Sequence, residues 1–153
     1  MKTAIAITVA GLMSFGIGIT PAFAYHLIPE STSFTGSGNT SATKNGVTLA
    51  CKAKFNGAID GSGVGSVTSG SFTGQLGCTS VALSNLPWKA TAKKATKGTI
   101  LNVTFTSPIG NCGPTTLPVK LKNGVISFTN AVLSGGCTVS GKIKTSPTVS
   151  IVP

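Results

Sequence analysis

The sequence predicts an all-β fold, an antiparallel β-sandwich or barrel of about eight to ten strands in a single domain with two disulfides. Apolar and polar residues alternate along several runs, which is the period of a half-buried strand. Asn-Gly pairs at Asn45-Gly46 and Asn123-Gly124 favour two-residue hairpin turns. No stretch carries helical apolar spacing over three turns, so we expect no long helix.

The first 24 residues have the form of a secretory signal peptide. Met1-Lys2 precedes an apolar run from Ala4 to Thr20, and small residues ending at Ala24 predict cleavage before Tyr25. An uncleaved membrane anchor is the alternative, which the short, glycine-interrupted run disfavours because a span needs about 20 apolar residues. We therefore expect residues 25–153 to form one exported domain, secreted, at the cell surface or periplasmic, with no membrane span after cleavage.

The first strands of this domain differ in clarity. After a lead-in from Tyr25 to Pro29, Ser31 to Asn39 forms a polar strand loosened by glycine. The strand that follows Asn45-Gly46 is the clearest in the chain, with Lys52 and Lys54 on its polar side. Its other side is apolar and we expect it to face the core: Val47, Leu49, Cys51, Ala53 and Phe55.

The middle of the chain is rich in glycine and serine. From Gly57 to Gly77, sparse apolar anchors favour glycine-kinked strands or a long hairpin over a flexible linker. Trp88 is expected to be a core anchor, the alternative being an exposed aromatic for sugar or hydrocarbon contact. The lysine-rich segment from Lys93 to Gly98 predicts a solvated turn, and Ile100 to Thr106 predicts a further strand.

The segment from Cys112 to Cys137 predicts a disulfide-closed hairpin around Asn123-Gly124, with Ser134–Gly136 absorbed as a bulge. After Cys137 another strand alternates apolar residues with lysines, and Pro147 to Pro153 closes the chain as an edge strand. The expected pairs across the hairpin are Lys122 with Val125, Leu121 with Ile126 and Val119 with Phe128.

Four cysteines in an exported chain predict two disulfides. Three connectivities are open, and closure of local β-structure favours Cys51 with Cys78 and Cys112 with Cys137. A zinc site is disfavoured because the cysteines lack close pairing and a neighbouring histidine.

All basic residues are lysines. After loss of Lys2, eleven lysines and two acids leave a net charge of +9. The absence of arginine disfavours sequence-specific nucleic-acid recognition, since the planar guanidinium usually supplies the bidentate contact. Contact with anionic polysaccharide or extracellular DNA stays open, and so does a merely solvated face. The candidate contact residues are Lys52, Lys54, Lys120, Lys122, Lys142 and Lys144.

Catalysis is not expected. Acid–base chemistry needs positioned titrating groups, and the domain offers only His26, Glu30 and Asp60, which lie in two separate segments. We assign no catalytic residue, no cofactor and no metal site. The alternative for His26 is copper chelation with a new amino terminus at Tyr25.

Several motifs together resemble the bacterial protein activators of alkane oxidation of the PraA/PraB type. They lie at 84–88, 107–114, 123–128, 135–137 and 145–153, so the resemblance covers the whole domain. It implies an exported, non-enzymatic protein that promotes growth on alkanes, with some relatives acting as biofilm matrix or surface adhesins. It implies no catalytic residues.

Three functions remain in view. The first is a secreted or cell-surface structural protein that self-associates, promotes adhesion and biofilm matrix formation, and contacts hydrophobic substrates such as alkanes. The second is an extracytoplasmic binding module for an apolar ligand, which requires an interior cavity. The third is a binder of anionic polymers through lysine.

Overall fold

The computed structural model describes residues 24–153, and the predicted signal peptide lies outside them apart from Ala24. Within this range the chain forms strands, one short 3₁₀ turn at Cys78–Ser80 and no α-helix. None of its helical segments has the length and apolar character needed to cross a membrane. The strands are β1 His26–Ile28, β2 Thr32–Lys44, β3 Val47–Ile59, β4 Gly65–Gly74, β5 Ala82–Ser84, β6 Trp88–Lys94, β7 Lys97–Ser107, β8 Gly110–Lys122, β9 Val125–Leu133, β10 Cys137–Ser146 and β11 Ser150–Val152.

Eight strands close into an antiparallel barrel. Their order is β7-β6-β4-β3-β2-β10-β9-β8, and pairing of β7 with β8 completes the ring. Strand β5 pairs with the last part of β7, at Thr104–Thr106, and β6 pairs with its first part, at Lys97–Ile100. Residues Asn85–Pro87 separate β5 from β6. The sequence left sandwich and barrel open, and the structure resolves the fold as a barrel. Closure pairs each barrel strand on both sides.

Both predicted hairpin turns are present. Asn45 and Gly46 have φ of 50° and 76°, and Asn123 and Gly124 have φ of 51° and 73°. These left-handed values are those of a type I′ turn, which explains the Asn-Gly pairs. Across the second turn, Lys122 faces Val125 and Leu121 faces Ile126, as predicted.

The hairpin prediction is wrong farther from its turn. The β8–β9 ladder ends at Lys120 and Ser127. Val119 and Phe128 do not form the predicted pair: each is paired on its other edge, Val119 with Gly98 of β7 and Phe128 with Gly141 of β10. The two segments meet again where the Gly113 N–H donates to the Ser134 carbonyl. Ser134–Gly136 forms the β9–β10 turn instead of a bulge, so Cys137 begins a new strand.

One end of the barrel, which we call the ribbon end, is covered by the two chain-terminal strands. β1 and β11 pair antiparallel, Leu27 opposite Ile151, so the predicted terminal edge strand has an intramolecular partner. Leu27 and Val149 are buried against Ile59 and Leu121. This small apolar cluster closes the ribbon end.

The opposite end, the disulfide end, carries both disulfides. Cys51 bonds to Cys78 and Cys112 to Cys137, the pairing that local closure favoured. Cys78, Cys112 and Cys137 are fully buried. On the loop-entropy account, closing segments of 27 and 25 residues stabilises the fold by about 3.5 kcal/mol each.

Inward-facing phenylalanines lie opposite inward-facing glycines. A Cβ atom added at Gly57 would lie 2.6 Å from Cζ of Phe34, and one at Gly141 would lie 2.6 Å from Cζ of Phe128. The glycines thus leave the space that the rings occupy inside a narrow barrel. The directly opposed pairs are Phe34 with Gly57, Phe55 with Gly70 and Phe128 with Gly141.

Candidate functional site

The barrel interior contains an apolar cavity of about 150 Å³. Aromatic and aliphatic side chains form most of its wall. The threonine hydroxyls at its border are hydrogen-bonded within the protein, that of Thr40 to the Cys51 carbonyl, that of Thr99 to Thr91 and that of Thr145 to the Gly124 carbonyl. Among the residues that the structure describes, none with a charged side chain lines the cavity. The aromatic part of the wall is Phe34, Phe55, Phe72, Trp88, Phe105 and Phe128.

A cavity of this kind favours a small hydrocarbon over water. Engineered apolar cavities of about 150 Å³ stay dry and bind benzene. Left empty, such a volume costs about 3.6 kcal/mol at roughly 24 cal/mol per Å³. An apolar ligand therefore restores contacts that the protein side chains do not make with one another.

The alternating pattern alone does not predict the cavity. Strand alternation identifies inward positions but does not show whether their side chains fill the interior. The available signal was the small size of several inward residues beside large rings. These small residues, which now line the cavity, are Gly36, Ala42, Gly65, Ala90 and Gly98.

Trp88 is a core anchor, as expected. Its side chain is 5% exposed and its indole Nε1 donates a hydrogen bond of 2.8 Å to the carbonyl oxygen of Ser84. This bond spans the Asn85–Pro87 interruption between β5 and β6. Trp88 therefore forms part of the cavity wall, and its buried ring cannot stack on a sugar at the surface.

The six candidate lysines lie on the outside of the barrel, on β8, β10 and β3, and we call them the lysine belt. The belt follows about half of the barrel circumference. In one row across the strands, Asn39 of β2 is opposite both Lys52 and Lys142. Ser127 of β9 is opposite both Lys142 and Lys120. A second row lies two residues farther along the strands and has the same arrangement of lysines: Lys122, Val125, Lys144, Ser37 and Lys54.

The belt forms a regular grid of exposed charge. Measured along the backbone, lysines in one row are two strands apart, about 10 Å, and the rows are about 7 Å apart. All six belt lysines are exposed. Within residues 24–153 no lysine ammonium lies within 4.0 Å of a carboxylate oxygen, since the ion pair found there joins His26 to Glu30.

A shallow polar depression lies within the belt between β2, β3 and β4. It has a volume of about 400 Å³ and contains the side chains of Lys52 and Lys54. Small residues form the rest of its lining, and the polar ones bring hydroxyl and amide groups beside two ammonium groups. The lining residues are Ser37, Gly38, Asn39, Ala53, Ser71 and Thr73.

The few titrating groups stabilise local structure. Nε2 of His26 lies 3.3 Å from Oε1 of Glu30, and His26 belongs to β1. The Asp60 carboxylate accepts hydrogen bonds from the backbone N–H groups of Val64 and Ser62 and from the Ser62 hydroxyl, all at 2.8–2.9 Å. These bonds, that from Val64 first, hold the pKa of Asp60 below its usual 3.8.

The Asp60 loop is attached to the ribbon end. The Gly63 carbonyl accepts a hydrogen bond of 2.9 Å from the backbone N–H of Leu27, and the Asp60 carbonyl accepts one from Ser31. Asp60 therefore orders the segment that holds β1 in place.

Comparison with known proteins gives a family. The whole chain, residues 1–153, matches the sequence profile of the PraA/PraB-like alkane oxidation protein activators. No curated protein and no solved structure shows significant similarity to it.

Proposed function

The chain belongs to the family of PraA/PraB-like alkane oxidation protein activators, and from this membership and the cavity we propose that it binds a small hydrocarbon inside the barrel. In this proposal the protein acts after export, outside the cytoplasm, and supports alkane use by holding the substrate, without catalysing a reaction. The two disulfides fit an extracytoplasmic protein. The observation that carries the proposal is the apolar cavity of about 150 Å³.

The wall chemistry selects uncharged ligands. The wall is almost wholly apolar, and among the described residues no cation is placed to pair with a bound carboxylate. Burying an unpaired carboxylate costs several kcal/mol. A hydrocarbon should therefore bind, while the fatty acid of the same length should not.

The volume sets the ligand size and affinity. A cavity of this size accepts about six carbon atoms, as benzene occupies a comparable engineered site. At about 0.8 kcal/mol for each buried carbon, six carbons give about 5 kcal/mol, or a Kd near 0.3 mM. Longer alkanes require expansion of the cavity and should bind only if the barrel widens.

The test is saturable binding of benzene and hexane to the oxidised protein, with hexanoate as the charged control. Chemical-shift changes of Ala42 and Ala90, which line the cavity, would report where the ligand binds. At ten times its Kd, benzene should stabilise the protein by about 1.4 kcal/mol. No saturable binding, or equal binding of hexane and hexanoate, would refute the proposal.

A surface role is a second candidate. Three large apolar residues at the disulfide end are exposed: Leu76 at 99%, Val132 at 74% and Val47 at 54%. We propose that this end contacts hydrophobic surfaces, which would support adhesion, self-association and biofilm matrix formation by a secreted protein. Because β11 pairs with β1 and the barrel is closed, this role does not rest on a free strand edge.

Adsorption to hexadecane droplets tests the surface role. The variant Leu76→Ser/Val132→Ser should adsorb less than the parent protein, while Thr129→Ser, at an exposed position of β9, should adsorb equally. Equal adsorption by all three proteins, with no assemblies in negative-stain electron microscopy, would exclude it. N-terminal sequencing of the exported protein would test cleavage before Tyr25.

A further inference from the structure

We infer that the lysine belt binds a linear anionic polysaccharide whose carboxylates are widely spaced along the chain. The polymer would lie across the strands, along the two rows of the belt. This inference concerns the outer surface of the barrel and does not depend on hydrocarbon binding in the interior.

Positive charge is concentrated on the belt. Six of the twelve lysines in the sequence occupy two adjacent rows that run across β8, β9, β10, β2 and β3. The row that contains Lys52 alternates lysine with a short polar residue: Lys120, Ser127, Lys142, Asn39 and Lys52. Lys97 of β7 continues this row opposite Lys120. The described acids, Glu30 and Asp60, lie outside this surface and leave its ammonium groups available to an external anion.

Part of the belt surface, around Lys52 and Lys54, has a shape that can hold sugar rings. The depression around Lys52 and Lys54 is concave because the neighbouring side chains are short. Sugar hydroxyls can hydrogen-bond there to Ser37, Asn39 and Thr73, while a carboxylate pairs with either ammonium group. A flat solvated face would supply the charge without these groups.

The charges of the belt are widely spaced. The backbones of neighbouring lysines along each row are about 10 Å apart, which is two strand separations, and their outward side chains fan out from the closed barrel. A polysaccharide with a carboxylate on every second sugar has a charge spacing of this order. Double-stranded DNA instead carries one charge per about 1.7 Å of its axis.

The side-chain types also disfavour nucleic acid. The chain has no arginine for bidentate phosphate contact. Single-stranded nucleic acid is usually bound by stacking on exposed aromatic rings. Tyr25, 36% exposed, is the exposed large aromatic within residues 24–153, and it lies in the terminal segment before β1.

The test compares binding of hyaluronan oligosaccharides, in which every second sugar carries a carboxylate, with binding of neutral dextran and double-stranded DNA. The belt variant is Lys52→Gln/Lys142→Gln, and the matched control is Lys89→Gln/Lys93→Gln. All four lysines are exposed, and each variant removes two charges. Thermal melting of all three proteins checks that folding is unchanged.

We expect hyaluronan binding that weakens as salt rises, because exposed charges are screened over about 10 Å at 0.1 M ionic strength. The belt variant should bind hyaluronan about 2- to 30-fold more weakly than the parent protein. The control variant should lose less than half as much binding free energy as the belt variant loses.

Three results would overturn the inference. Equal losses in the two variants would show that net charge alone governs binding. Tighter binding of DNA than of hyaluronan at equal total charge would favour nucleic acid as the partner. No binding of hyaluronan at low salt would leave the belt as a solvated face.

Discussion

Filling the cavity should stabilise the protein and abolish hydrocarbon binding at the same time. The perturbation is Ala42→Ile, at an inward, half-buried position of β2 that lines the cavity. Isoleucine adds three carbon atoms and its β-branched side chain suits a strand. The matched control is Ala50→Ile, which adds the same atoms at an exposed position of β3.

The magnitude follows from the volume. At about 0.8 kcal/mol for each buried carbon, the three added carbons contribute about 2.4 kcal/mol. Imperfect fit in a packed interior costs about 1–3 kcal/mol. Because the cavity of about 150 Å³ accepts part of the side chain without displacement, the lower cost applies and the net gain is about 1 kcal/mol. For a domain of this size, that raises the Tm by about 3–5 °C.

The assay is thermal or urea unfolding of the oxidised protein with and without saturating benzene. Without benzene, Ala42→Ile should unfold at a higher temperature than the parent protein, and benzene should no longer raise its Tm. Ala50→Ile should retain the full benzene effect. A destabilised Ala42→Ile variant, or one that still gains stability from benzene, would refute the assignment of the cavity as an unfilled ligand site.

Four further predictions follow from other contacts. Asp60→Asn should lower the Tm at pH 7, and the difference should shrink below about pH 4: the pKa of Asp60 is lowered in the fold, so its stabilising effect is present above the unfolded-state pKa and disappears as the carboxylate protonates. Thr145→Val should lower the free energy of unfolding by about 1–3 kcal/mol, measured in urea, since the buried Thr145 hydroxyl donates to the Gly124 carbonyl at 2.9 Å and accepts from the Val149 N–H at 3.0 Å. Gly57→Ala should cost about 1–3 kcal/mol because its Cβ would meet the Ser66 carbonyl oxygen and the Phe34 ring, whereas the control Gly61→Ala, with 3.5 Å to its nearest neighbour, should unfold within about 0.5 kcal/mol of the parent protein. Reduction of both disulfides should lower stability by several kcal/mol, and a reduced protein that melts at the same temperature would contradict the entropy account.

Local rules were sufficient for the turns and the disulfides. Asn-Gly pairs specify type I′ geometry through two left-handed residues, so the Asn123-Gly124 hairpin follows from two positions. Each disulfide closes a segment of fewer than thirty residues. Pairing of β3 with β4 places Cys51 opposite Gly74, shortly before Cys78, and the hydrogen bond from Gly113 to Ser134 lies beside the Cys112–Cys137 bridge. These features join residues that are close together in the sequence, so they could be predicted from it.

Barrel closure could not be predicted in the same way. It depends on the pairing of β2 with β10, in which Thr35 lies opposite Ser146 and Lys44 opposite Cys137. The other barrel pairs join strands that follow one another along the chain, apart from the short β5. An alternating pattern is the same in a sandwich and in a barrel, so it does not predict this pairing between the first and last long strands.

The same register that closes the barrel also creates both candidate sites. Along β3, Cys51, Ala53 and Phe55 point inward while Lys52 and Lys54 point outward, because side chains alternate along a strand. The cavity therefore depends on inward residues and the belt on outward residues of the same strands. Since Asn39 and Ser37 place the β10 and β3 lysines in common rows, a one-residue slip of β2 against β3 would disrupt the belt and turn the inward face outward. Substitutions that preserve the register should therefore change one site without the other: Ala42→Ile should leave hyaluronan binding intact, and Lys52→Gln/Lys142→Gln should leave benzene binding intact.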